Sequence, residues 1–347
     1  MPTKSRPLIH LVNPLWDSCG GADRRTVQMF HDLSPHADVR LWSEYEPAAA
    51  YADLPVRRIR PWLLQYPRHG TLVFVGVYFR IGHWSRLASP ERQVVLYNTD
   101  QPDRLDKALR RLAHAGHSTD IIHTSRALRT LSGYPGQVLE SPIDVAPFLA
   151  IDRSAPEASR PFTVGRLSRD TLKKHHADDI ALYRRLARQG LRVRIMGGTC
   201  LAPELGGEPG IELLPAGAAD NASFLASLDA FIYRTSDNWY EAYGRVVFEA
   251  MASGLPVVCG RRGGFADYID HGVNGLLFDD SSEAEWLLLA LMRDRQSGAA
   301  LGNAARRYAS RFFQQELPGR MLAALLPRNG SNDQYDTVRR FDGLPQR

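Results

Sequence analysis

Cysteine is scarce in this chain, and the structures that depend on it are excluded with it. Three cysteines in 347 residues, Cys19, Cys200 and Cys259, are odd in number, widely spaced and free of any C-x-x-C pair. That pattern supports neither a disulfide framework nor a zinc cage, and a reducing compartment is expected. No stretch approaches the roughly 18 uninterrupted apolar residues of a spanning helix. The opening "MPTKSRPLIHLVNPLW" lacks the long apolar core of a secretory leader. The expectation is a cytoplasmic protein, soluble or peripheral. There is no D-x-D, the acidic pattern that chelates a metal–diphosphate, although Asp178–Asp179 and Asp279–Asp280 are adjacent pairs. There is no G-x-G-x-x-G either, which counts against a dinucleotide-dependent oxidoreductase. A clustered excess of positive charge is missing as well: 43 basic residues are interspersed with 38 acidic ones for a formal +5, so nucleic acid is not an expected partner.

What is present is an alternation. Short β-rich runs, "LIHLVNP", "TLVFVGVYF", "QVVLYNT" and "DIIHTS", are followed in the second half by "PFTVGRLS", "LRVRIMGG", "IELLPA", "DAFIYR", "LPVVCG" and "NGLLF". Segments of helical length separate them. Near-continuous apolar strands alternating with helices predict parallel sheets covered on both faces, an α/β class. Between the two sets, "SPIDVAPFLAIDRSAPEASRP" has no sustained periodicity and reads as a linker. Two Rossmann-like domains are expected, 1–150 and 151–310, with a cleft between them. A C-terminal helix around Pro318 and a polar tail, 311–347, would follow, the helix packing back on the N-terminal domain. In such sheets ligands bind beyond the carboxyl ends of the strands, so the loops there are the place to look for chemistry.

The densest signal is "YEAYGRVVFEAMASGLPVV", residues 240–258. A helix beginning near Gly244 places Val246, Val247, Ala250 and Met251 on an apolar stripe and Glu249 beside it, partly desolvated. A carboxylate in that position costs several kcal/mol unless donors meet it, and the vicinal diol of a ribose is such a donor pair. Glu241 lies in the loop before the helix and is suited to hold sugar hydroxyls. Gly244 lets a ligand approach bare amides at the helix start, where the dipole attracts phosphate. Together the three suit a sugar nucleotide.

These residues resemble the retaining glycosyltransferase family 4, whose GT-B fold pairs two Rossmann-like domains. The E-x7-E pattern from Glu241 to Glu249 runs into the family-like "EAMASGLPVV". "GRRGGFADYIDHGVNGLLF" is similar to the family's glycine pair, acidic residue and G-x-x-G-L-L segment. "TVGRLSRDTLKKHH" resembles its strand, Gly-Arg and lysine element, and "CGGADRRTVQMFHDL" its first-domain glycine loop. The resemblance implies that Arg166 and Lys174 neutralise a leaving diphosphate and act with Glu241 in catalysis. Lys174 is preferred to Lys173 because the family lysine is commonly followed closely by a histidine. Donor binding falls to Glu249, Gly244, Gly21, Gly263 and Gly264; Asp267 takes the place of the usual glutamate, with its role open. Where relatives carry a first-domain histidine, Asn98, Thr99 and Asp100 stand, and His83 is a substitute to be weighed.

The implied reaction is a retaining, metal-independent sugar transfer from a nucleoside-diphosphate sugar to a hydroxyl on a glycan or glycolipid, in bacterial-type glycan, polysaccharide or glycolipid assembly, without a cofactor. The alternatives are a nucleotide-sugar epimerase of the same fold and a non-catalytic scaffold in a polysaccharide assembly complex. Residues 1–150 hold 18 basic against 14 acidic side chains, a formal +4, and the remainder 25 against 24, or +1. "RLDKALRRLAHAGH" is a basic amphipathic stretch for which contact with an anionic membrane and a solvated helix face are the two readings.

Overall fold

Runs such as Thr71–Val75 and Thr163–Leu167 are buried along their whole length, which a strand sustains only when both faces of its sheet are covered. The computed structural model describes residues 6–18, 20–113, 118–153 and 160–326. Cys19, the His114–His117 stretch and the polar tail beyond residue 326 lie outside the described residues. Among the described residues, no helix is long and apolar enough to cross a membrane.

The chain divides into two units, each with its own parallel sheet. The first contains β1 (Leu8–Val12), α1 (Gly21–Leu33), β2 (Asp38–Ser43), β3 (Arg57–Arg58), β4 (Thr71–Val75), β5 (Arg92–Tyr97), α2 (Pro102–Ala113), β6 (Thr119–His123), α3 (Arg126–Ser132) and β7 (Gln137–Val138). Its seven strands lie in the order β3-β2-β1-β4-β5-β6-β7, all parallel. Both edge strands are two residues long, a length that offers little template for unwanted pairing.

The second unit starts at Asp144. It contains α4 (Ala146–Leu149), β8 (Thr163–Leu167), α5 (Asp178–Arg188), β9 (Arg192–Met196), α6 (Ala202–Leu205), β10 (Ile211–Leu214), α7 (Asn221–Ala226), β11 (Ala230–Tyr233), α8 (Arg245–Ala252), β12 (Val257–Gly260), β13 (Leu276–Phe278), α9 (Ser281–Arg293) and α10 (Arg295–Arg311). Its strands run β10-β9-β8-β11-β12-β13, again all parallel. Val164, Val193, Ile195, Ile232 and Val258 from the strands meet Leu182, Leu186 and Leu288 from α5 and α9 in its core. The expected linker is partly structured: α4 forms within it, and Phe148 is buried.

After α10 the helix widens into a π-turn at Phe312–Glu316 and continues as α11 (Leu317–Leu325), which belongs to the first unit from Glu316 onward. Pro318 is the second residue of α11, directly after the π-turn, where the regular i→i−4 ladder is already interrupted and a residue without an N–H is accommodated. At the other end Arg92 donates to the carbonyls of Ala324 and Leu326 at 2.6 and 2.8 Å, satisfying acceptors that a helix end leaves open. α11 packs on α1.

Close approach of backbone to backbone decides one glycine. A Cβ at Gly302 in α10 would lie 2.1 Å from the carbonyl oxygen of Gly254, just beyond α8. Alanine gains up to about 1 kcal/mol over glycine inside a helix, whereas forcing extra volume into a packed contact costs about 1–3 kcal/mol. The obstacle here is backbone and has no rotamer to change. Gly302→Ala is expected to lower stability by about 1 kcal/mol or more in urea unfolding; an unchanged or raised midpoint would show that α10 can lift off α8 freely.

Candidate functional site

In the second unit the carboxyl ends of β8 and β11 converge on a group of charged side chains. Arg166, in β8, is 0% exposed. A guanidinium there is tolerable only if the surroundings accept its hydrogen bonds. Its Nη1 donates to the carbonyl of Arg234 at 3.0 Å and to the Tyr183 hydroxyl at 3.4 Å, and its Nη2 donates to the carbonyl of Lys174. The guanidinium also sits 5.1 Å from the Tyr233 ring centre.

Asp179, on α5, lies 3.8 Å from Arg166 Nη1 and pairs directly with Arg234, the residue after β11. Burial pushes the Asp179 carboxyl above its ordinary range, opposed by Arg234 and Arg166. Arg234 is further held by the Ser281 hydroxyl at 2.8 Å. Among the described residues, Arg166 Nε, Arg234 Nε and Asp179 Oδ2 are buried without a hydrogen-bond partner. His175 closes the floor. Burial, reinforced by Arg166, holds it down at about 3, so it is neutral at pH 7. Its Nε2 lies 2.9 Å from the carbonyl of Gly197, tying the loop after β9 to the loop after β8.

Above this floor Lys174 and Glu241 are joined. Lys174 ends a 3-10 turn, Leu172–Lys174, and its Nζ pairs with Glu241 Oε2, which also accepts from the Tyr233 hydroxyl at 2.8 Å. Burial favours the neutral acid, but Lys174, the Tyr233 hydroxyl and the nearby Arg169 outweigh it and hold Glu241 below the usual carboxylate range. The lysine Nζ lies 5.2 Å from the Trp239 ring centre, and the exposed Lys173 reaches the same ring at 5.9 Å. Of the two lysines, Lys174 is therefore the one tied to Glu241. Counting the cluster, three cations (Arg166, Lys174, Arg234) face two carboxylates (Asp179, Glu241), one positive charge in excess. The exposed Arg169 adds to it.

The glycines are placed around Phe265. Gly244 precedes α8 with φ +79°, and a Cβ on it would lie 2.6 Å from the Phe265 ring; Gly263 has φ +150°, with the same ring 2.4 Å away. Both positions exclude a side chain for conformational and steric reasons together. Gly264 donates its N–H to the carbonyl of Glu241 at 2.7 Å, which commits that amide to the protein and fixes the Glu241 backbone. The segment that follows, Gly264–Tyr268, is a 3-10 turn containing Asp267.

Several expected residues are placed differently. Arg166 was expected to face a diphosphate, yet its guanidinium is enclosed by protein acceptors; its reach is to the backbone of Lys174 and Arg234. Glu249, on α8, is 3% exposed and accepts from the Asn221 amide of α7 at 2.8 Å. Gly21 opens α1 in the first unit, with nothing within 4 Å of a Cβ built on it, and His83 is exposed there. Arg234, Tyr233, Arg169 and Asn221 were not singled out from the sequence, and Asp179 was noted only as one of an adjacent acidic pair. Arg234 carried a usable signal, a cation immediately after the buried strand "AFIY". Among the described residues, no group of three or more His, Cys, Asp or Glu side chains is arranged to hold a metal ion.

The family described as "Glycosyl transferases group 1" matches residues 150–308. A D-inositol 3-phosphate glycosyltransferase of Corynebacterium kroppenstedtii is 35% identical over 144 residues, 36% of this chain and 30% of that protein. The Arabidopsis thaliana sulfoquinovosyl transferase SQD2 is 38% identical over 92 residues, 25% of this chain and 18% of that protein. A GDP-mannose-dependent alpha-mannosyltransferase of Corynebacterium glutamicum is 40% identical over 79 residues, 21% and 18% of the two chains. The matches thus span under a third of these relatives. Among solved structures, Anabaena HepE in complex with UDP superposes with a TM-score of 0.70 at 18% identity, covering 91% of this chain and 98% of that one. WaaG, a glycosyltransferase of lipopolysaccharide biosynthesis, gives 0.63 at 15% identity, covering 91% and 98%. Residues 150–308 thus match the glycosyl transferases group 1 family, in a chain whose two parallel-sheet α/β units share the fold of GT-B glycosyltransferase structures.

Proposed function

We propose that this chain transfers a sugar from a nucleoside-diphosphate sugar to a hydroxyl acceptor with retention at the anomeric carbon, without a metal, in cytoplasmic glycan, polysaccharide or glycolipid assembly. The observation that carries the reading is the net-positive group at the ends of β8 and β11, lying inside the matched domain. A departing nucleoside diphosphate develops negative charge, and fixed cations in a low-dielectric setting stabilise it far more than water does. Lys174 and Arg169 are the cations assigned to the diphosphate. Arg166 acts as a positioning residue: it holds the backbone of Lys174 and leaves the phosphate to other side chains.

Glu241 is the group assigned to the sugar hydroxyls. As a carboxylate held ionised by Lys174 and Tyr233, it only accepts hydrogen bonds, and hydroxyls are donors. Glu249 is assigned to the ribose, whose hydroxyls would join the Asn221 amide as donors to it. Gly244, Gly263 and Gly264 keep this part of the wall free of side chains. Catalysis would then rest on positioning and charge stabilisation, with the leaving phosphate oxygen taking the acceptor proton in a same-face displacement. HepE, of the same fold, has been solved with UDP and with UDP-glucose. The relatives' names cover inositol-phosphate glycosylation, sulfoquinovosyl transfer and mannosyl transfer, so the proposal is kept at the level of the reaction class.

A panel of nucleoside-diphosphate sugars incubated with the full chain is expected to yield at least one from which nucleoside diphosphate is released, in chelator as well as without it. Glu241→Gln should lower kcat/KM for that donor about 100-fold, or about 2.7 kcal/mol. An isomerised free nucleotide sugar would favour the epimerase, and loss of turnover in chelator restored by magnesium would contradict the metal-free reading.

The same carboxylate makes a pH prediction. Because its value in the folded state is depressed, the stability it contributes is fully present above the ordinary glutamate value of about 4.3 and is lost as pH falls through the lower folded value. Glu241→Gln should therefore be less stable than wild type at pH 7, with the two converging in acid. A gap that stays constant down to about pH 3 would mean that the Lys174 pair does not stabilise the ionised form.

A further inference from the structure

The basic stretch of α2 is not used by the reading above, and in the first unit it forms one wall of an open surface groove. The groove, of about 330 Å3 and largely open to solvent, is lined by Arg86, Lys107, Arg110 and Arg111. Lys107, Arg110 and Arg111 stand at i, i+3 and i+4, so they share one face of α2. Arg86 comes from a separate segment, the 3-10 turn His83–Leu87. Like charges at this spacing repel, and nothing in the packing of α2 calls for them, because its buried residues are Leu105, Ala108, Leu109 and Leu112.

The two walls are held in place. Arg111 Nε donates to the carbonyl of Ile81 at 3.2 Å, linking α2 to the segment that carries Arg86. Trp84 in that segment is buried, and its indole N–H and the Gly82 N–H donate to Glu44 Oε1 at 2.6 and 2.7 Å. Among the described residues, Arg111 Nη2 is buried without a hydrogen-bond partner. His83 reports the local field: Arg111 foremost, with Arg86 and Arg80, drives its proton affinity down although the ring is exposed. Asp103 and Asp106 also lie on α2, and Asp106 accepts from the Tyr134 hydroxyl.

We propose that Arg86, Lys107, Arg110 and Arg111 form a binding site for a phosphate group, carried either by a soluble phosphoryl compound or by a lipid headgroup. Guanidinium forks match phosphate oxygens in pairs, and the lysine adds a point charge. The open groove leaves room for the phosphate and for the rest of the molecule that bears it to extend into solvent. The site stands on first-unit residues alone and does not rest on the donor site of the second unit.

Hydrogen–deuterium exchange of the full chain tests it locally, in peptides covering residues 79–90 and 101–113, with inorganic pyrophosphate as the soluble probe. Sedimentation with phosphatidylcholine vesicles, with and without phosphatidic acid, tests the headgroup. The expected result is protection of those peptides, or co-sedimentation dependent on phosphatidic acid, weakened at least tenfold in Arg86→Gln/Lys107→Gln/Arg110→Gln. The charge-matched Arg188→Gln/Arg293→Gln/Arg307→Gln should keep it. Protection alone assigns a soluble ligand, and co-sedimentation assigns a headgroup. Absence of both, or equal loss in the two triple variants, overturns the site. Because the peptides lie in the first unit, this outcome is read separately from any failure of donor binding.

Discussion

One fully buried guanidinium organises the candidate site. Arg166 sits under the carboxyl ends of β8 and β11 and donates to the backbone carbonyls of Lys174 and Arg234, so one side chain sets the position of two loops. Removing a single partner of a buried charged group typically costs 3–5 kcal/mol, and that penalty is what keeps the arrangement in place. Asp179 balances only one of the two arginines around it. The excess positive charge is left facing the Lys174–Glu241 pair, and an arriving anion would meet it without reorganisation of the floor.

The pair above the floor has a different character. Lys174 and Glu241 satisfy each other in this structure, and the Tyr233 hydroxyl gives Glu241 a second donor. A sugar diphosphate offers each of them a replacement, hydroxyls for the carboxylate and phosphate oxygens for the ammonium. The pair therefore keeps two charges from being buried alone while the site is unliganded. Gly264 and Phe265 hold the Glu241 backbone and the start of α8 against each other, which explains why Gly244 and Gly263 tolerate no side chain.

Much of the architecture was legible because most strands are short runs rich in apolar and β-branched residues; every strand of the second sheet was read from such a run, although Arg166, Arg192, Arg194 and Glu212 interrupt three of them. β2 was missed because Asp38 and Arg40 interrupt it before its buried end at Leu41–Ser43, and β3 and β7 are too short to leave a pattern. Glu249 was legible as a desolvated carboxylate, since its helix is apolar around it. Its partner Asn221 was not, because the two are 28 residues apart and no local rule links them. The burial of Arg166 was equally hidden. A cation near the end of a strand normally reads as solvent-facing, and what keeps this one, inside β8, buried is acceptors arriving from Arg234, Lys174, Tyr183 and Asp179, which only the tertiary structure brings together. The basic face of α2 was visible, but Arg86 opposite it was not, for the same reason.

The central claim is that the net-positive strand-end group of the second unit exists to hold a diphosphate. Calorimetric titration with nucleoside diphosphates lacking the sugar reads that side of the site alone. The double variant Lys174→Met/Glu241→Gln removes both partners of this largely buried pair and so leaves no orphaned charge to confuse the result. The account predicts a dissociation constant at least tenfold weaker in the double variant, with its unfolding midpoint close to that of wild type. Equal affinity in the two proteins, at the same ionic strength, would contradict it.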